Sequence, residues 1–125
     1  MENPVTSKLN NHQFINVETT RKNGQVVNTP VWFVAEGSLI YIRTGSKSGK
    51  VKRIRNNPGV KFATCKADGK LTGDWMDGTA EIVSDTVEKD SINRKFTRKY
   101  GLQKRLYDLV GFFSKMEMAA LVIRY

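Results

Sequence analysis

The chain has 125 residues, enough for one domain with a modest core. Its 21 Lys and Arg against 12 Asp and Glu leave a formal charge of +9, which favours an anionic partner: nucleic acid, a membrane surface or a phosphorylated ligand. A single cysteine, Cys65, excludes an intrachain disulfide, and a single histidine, His12, in a polar leader, argues against a catalytic triad and a multi-histidine metal site.

The first eight residues hold no apolar signal core, and no apolar run reaches membrane-spanning length. The expectation is a cytoplasmic protein with no membrane partner. Phe14 to Thr20 is a β-type run, and Asn23-Gly24 is a hairpin signal. A second strand runs from Val26 to about Ala35, with Pro30 inside it. A proline cannot donate to a ladder, so it marks an edge or a bulge. Glu36-Gly37-Ser38 turns the chain, and Leu39 to Thr44 alternates like a half-buried strand.

After a Gly/Ser break, a short helix is predicted over Lys50 to Asn56, with Val51 and Ile54 on its inner face and Pro58 closing it. Val60 to Lys66 reads as a strand, Asp68-Gly69 as a turn, and Leu71 to Val83 as one or two strands around Gly73 and Gly78. Asp85 with Glu88 opens a helix as a loose capping box. Ile92, Phe96 and Tyr100 give that helix an apolar stripe, and Gly101 can end it in a left-handed cap. Leu102, Leu106, Leu109, Val110 and Phe113 mark a second amphipathic helix, and Met118 to Ile123 suits a final buried strand. The pattern predicts a mainly β fold. Six antiparallel strands close into a barrel, with a short helix after the third and a helical pair before the last.

The positive charge is local. Between Arg43 and Lys70 nine basic residues face one acid, Asp68, which accounts for +8 of the +9. Within this zone Thr44-Gly-Ser-Lys-Ser-Gly-Lys50 has the chemistry of an anion cradle. The hydroxyls of Thr44, Ser46 and Ser48 can donate to phosphate oxygens, and the helix start offers unpaired N–H groups. Lys50 and Arg53, one turn apart, can reach the same place. A solvated connector with a basic helix face is the plainer reading of the same residues. The Walker spacing is absent: Gly45 and Gly49 are one residue too close, and Val51 follows the lysine.

Six segments occur in order: Asn23-Gly-Gln; Thr29-Pro-Val-Trp-Phe33; Tyr41-Ile-Arg-Thr-Gly45; Ser48-Gly-Lys-Val-Lys-Arg-Ile-Arg-Asn-Asn-Pro58; Thr72-Gly-Asp-Trp75; and Gly78-Thr-Ala80. Together with Lys99-Tyr-Gly-Leu-Gln-Lys-Arg-Leu106, they resemble the pyridoxamine-phosphate-oxidase-like split β-barrel superfamily. More narrowly, they resemble its short flavin/deazaflavin oxidoreductases, the probable F420-dependent branch. The resemblance covers residues 13 to 125. It implies a six-stranded split barrel, a homodimer, and two sites for F420 or FMN at the interface.

On that resemblance Ser48, Lys50 and Pro58 fall on the phosphate segment. Gly49 replaces the family's basic residue before the lysine, so Lys52 or Arg53 is expected to compensate. Thr29, Pro30, Val31 and Trp32 fall on the strand against the ring, and Trp75 is expected to reach the partner's site. Thr29 and Val34 stand where the oxidase carries an arginine and a lysine, and its C-terminal substrate segment is missing, so pyridoxal phosphate synthesis is not expected.

The function implied is hydride transfer between F420 or FMN and a small organic substrate, with no catalytic side chain identified and no metal. A flavin-binding carrier without turnover is the first alternative. A single-stranded nucleic-acid-binding barrel, with Phe33, Tyr41 and Phe62 stacking on bases, is the second. It ranks lower because the charge gathers at a Ser/Thr/Gly loop, away from interleaved aromatics; no nucleic acid partner is expected.

Overall fold

The computed structural model describes residues 9–45, 49–83, 85–101 and 118–125. Among the described residues the complete elements run in the order β1 (Phe14–Thr20), β2 (Val26–Trp32), β3 (Val34–Glu36), β4 (Leu39–Gly45), α1 (Gly49–Asn56), β5 (Gly59–Cys65), β6 (Met76–Val83), α2 (Thr86–Tyr100) and β7 (Met118–Arg124). The strands form one antiparallel sheet in the spatial order β2-β1-β5-β6-β7-β4-β3. The two edges, β2 and β3, are consecutive parts of one run separated only by Phe33, so the sheet must curl until its edges converge there. Ile15 and Val17 on β1, Ile40 and Ile42 on β4, Phe62 on β5 and Leu121 and Ile123 on β7 fill the interior, each fully buried.

The expectation of six strands is corrected to seven, and α1 follows the fourth strand. The cause is local. The run Val26 to Ala35 does not stay in one ladder, because α2 takes Phe33's backbone groups. The Phe33 N–H donates to the Tyr100 hydroxyl at 2.9 Å, and Lys99 Nζ donates to Phe33 O at 2.9 Å. The Tyr100 hydroxyl, with one proton, lies 2.7 Å from Phe33 O and 2.8 Å from Gln13 O. Released from β1, the chain crosses over and pairs with β4, Val34 opposite Tyr41.

Both helices follow their sequence signals. α1 buries Val51 and Ile54. α2 begins at the N-cap Asp85, whose side chain accepts from the Glu88 N–H at 3.0 Å, and it buries Ile92, Phe96 and Tyr100 against β7 and the β2–β3 corner. Gly101 ends it with φ 54° and ψ −117°, a positive-φ stop outside the left-handed helical basin, so the expected cap geometry is corrected. The second helix of the expected pair falls at 102–113, outside the described residues. No helix among the described residues is long and apolar enough to cross a membrane.

Candidate functional site

α1 starts where β4 ends, and it lies against β1. Its first residue is Gly49. A Cβ added there would stand 2.6 Å from Arg53 Nη1, so the glycine leaves room for the arginine to fold back over the helix start. Arg53 Nε then donates to Thr19 Oγ1 on β1 at 2.6 Å. Thr19 is fully buried and pairs with Val27 of β2. Arg53 therefore ties the start of α1 to the β1–β2 hairpin, and its guanidinium occupies the space of a side chain at position 49. Of Lys52 and Arg53, it is Arg53 whose guanidinium lies over Gly49. Lys52 is exposed.

Lys50 is half-buried beside it. Burial, then the charge of Arg53, lowers its ammonium below the ordinary lysine value. Burial, then the nearby charge of Arg21, does the same to Arg53. Among the described residues no carboxylate lies within salt-bridge distance of Lys50 or Arg53. Cations held together with no counter-charge are electrostatically costly, and a bound anion relieves that cost. Thr19 and Arg21 were missed in the sequence. The signal was their spacing: two residues apart at the end of a strand, they share a face.

Thr29, Pro30, Val31 and Trp32 all lie on β2, an edge strand paired only with β1, as the proline required. They begin two residues beyond Val27, so this stretch starts about 7 Å from the Thr19–Arg53 contact and extends to about 17 Å. Beneath this stretch, Asn16 opposes Pro30. Its Nδ2 donates to Gly69 O at 3.2 Å, while its Oδ1 is buried with no hydrogen-bond partner among the described residues. Trp32 stacks on Tyr100, ring centroids 4.3 Å apart and 7° from parallel, so its side chain serves the packing of α2.

The other expected site residues are placed differently. Thr44 is buried on the core face of β4 opposite Ala119. Ser46 and Ser48 lie outside the described residues. Trp75 is 38 % exposed ahead of β6, and nothing described joins it to β2 or to Lys50. Its chain neighbours Asp74 and Met76 line a cavity of about 520 Å³ together with Leu9, His12, Phe62 and Thr64 among others; Trp75 itself is not part of that lining. One chain thus links Arg53, beside Lys50, through Thr19 to the β1–β2 hairpin, and no described contact joins Trp75 to them. Cys65 is buried, and desolvation, then Asp68, raises its thiol pKa, as befits a packing residue.

The arrangement is an anion-receptive corner joined to an open strand edge with an unsatisfied acceptor beside it. Those features fit a ligand with a phosphate at one end and a flat polar ring at the other. Comparison with solved structures gives the same architecture. The haem storage protein HutZ from Vibrio cholerae superposes with a TM-score of 0.71 at 11% identity, covering 99% of this chain and 90% of that one. An F420 reductase gives 0.61 at 17% identity, with 94% and 90% covered. A pyridoxamine 5'-phosphate oxidase-related, FMN-binding protein from Nostoc punctiforme gives 0.59 at 14% identity, with 90% and 70% covered. No curated protein matches the sequence. Residues 2–119 match the family described as Pyridoxamine 5'-phosphate oxidase, and with that match over nearly the whole chain the protein belongs to this family.

Proposed function

We propose that this protein is an oxidoreductase that binds a flavin-type cofactor, F420 or FMN, between two copies of the chain. It would pass a hydride between that cofactor and a small organic molecule. The observation that carries the reading is the uncompensated pair Lys50 and Arg53 at the start of α1, tied through Thr19 to the strand that presents Thr29–Trp32. Family membership and the likeness to an F420 reductase and an FMN-binding protein support it.

In this reading Lys50, Arg53 and the first N–H groups of α1 hold the phosphate through charge-assisted bonds. Ser46 and Ser48 add hydroxyl donors, and Thr44 closes the strand behind them. The backbone of Thr29 to Trp32 meets the polar rim of the ring, and Trp75 of a second copy covers it. When bound, the cofactor supplies the two-electron chemistry, and the protein supplies position and electrostatics.

The likeness to a haem storage protein favours a second reading, binding without turnover. Titrating the purified protein with FMN and with F420, and following ring fluorescence, tests the first step. The expected result is saturable binding of one of them at about micromolar Kd or tighter, of order −8 kcal/mol. Absence of binding to both would refute the reading. Hydride transfer from the bound reduced cofactor to any of a panel of nitro, enone and quinone acceptors separates enzyme from carrier.

A further inference from the structure

A cavity of about 290 Å³ opens between Asn10, β3 and the last turns of α2, past the Phe33 break from the β2 segment. Glu36, Lys95, Arg98 and Lys99 supply its charged lining. Glu36 is engaged, since Lys95 Nζ sits 2.7 Å from its Oε2. Asn10 is engaged with both backbone groups of Ala35, at 2.6 and 3.0 Å. That leaves Arg98 and Lys99, neighbours on α2, with no carboxylate in salt-bridge range among the described residues. Lys99 Nζ donates to Phe33 O at 2.9 Å and sits 3.6 Å from the Phe33 ring centroid. A carbonyl dipole and a ring face hold it there without neutralising it.

We propose that Lys99 is a carbonyl-condensing amine, and that this cavity admits a small aldehyde or keto acid whose carboxylate is held by Arg98. The neutral amine attacks the carbonyl carbon. Both of its protons leave with the carbonyl oxygen as water, a C=N bond remains, and no oxidant or reductant is consumed. Such chemistry needs a lysine that is free base near neutrality, which proteins obtain by desolvation and neighbouring cations.

Burial lowers Lys99 from 10.5 to about 8. That raises its free-base fraction near neutral pH by roughly two orders of magnitude. Of the groups that face it, the Phe33 carbonyl and the Phe33 and Tyr100 rings favour the ammonium, and burial outweighs them. Lys95 and Arg98 on α2 are cationic, and Glu36 on β3 is committed to Lys95. The Tyr100 hydroxyl is pushed well above its usual value by burial and stays protonated where Lys99 titrates. This inference stands apart from the flavin reading, because it uses a different cavity and needs no cofactor.

The test treats the intact protein with glyoxylate and cyanoborohydride over a pH series bracketing 8, then maps carboxymethylated lysines by mass spectrometry. Lys99 is expected to react at least about tenfold faster at neutral pH than the exposed Lys61, Lys66 and Lys70, with a rate midpoint near 8. Arg98→Ala is expected to slow glyoxylate labelling of Lys99 about fivefold or more while leaving labelling by uncharged formaldehyde unchanged. Reaction of Lys99 no faster than the exposed lysines would overturn the proposal. Equal slowing of both reagents in Arg98→Ala would overturn the role given to Arg98.

Discussion

Tyr100 shows how much one side chain decides here. Its ring stacks on Trp32 and Phe96, and its hydroxyl reaches the backbone of both Phe33 and Gln13. Lys99 already donates to Phe33 O, so the group that depends most on Tyr100 is the buried Phe33 N–H. Tyr100→Phe keeps the stack and strands that donor. We expect a loss of about 1–3 kcal/mol in urea unfolding, the usual cost of a buried unsatisfied polar group. A loss within error would mean that the break at Phe33 is held by β4 pairing alone. Nothing in the local sequence announced this bond. Phe33 reads as one more apolar residue in a strand, and its partners arrive 66 and 67 positions later.

At the level of elements, what could be read from the sequence was whatever depends on nearest neighbours. Asn23-Gly24, Asp68-Gly69 and Asp85 with Glu88 are short-range devices, and each produced its turn or cap. The Pro30 edge was legible because a missing N–H has few tolerable places. The strand count was not, since the division of one run into β2 and β3 is imposed by α2 from outside. The candidacy of Lys50 came from its loop chemistry, whereas the folding of Arg53 into the space above Gly49 depends on a three-dimensional contact that no local pattern announces.

β6 offers a test of the barrel itself, because it lies between β5 and β7. A Cβ on Gly78 would meet Ile123 Cγ2 at 2.5 Å and Arg124 O at 3.1 Å. Gly78→Ala is therefore expected to destabilise the fold by about 1–3 kcal/mol through overpacking. An unchanged urea midpoint would contradict the close approach of β6 and β7.

For the molecule as a whole, the charge and the fold point to the same corner. Most of the +9 is concentrated between Arg43 and Lys70, and within that stretch Arg53, beside Lys50, is tied through Thr19 to the hairpin whose outer strand, β2, is a sheet edge. In our reading a second copy supplies Trp75, 38 % exposed in one chain, and completes the pocket. The measurement closest to the centre of this account is a fluorescence titration of wild type and Lys50→Ala with whichever of FMN or F420 binds, after circular dichroism has shown both proteins folded. We expect Lys50→Ala to weaken binding by about 1.5–3 kcal/mol, the range for a hydrogen bond to a charged group. Equal affinities would take the phosphate away from α1 and contradict the site as described.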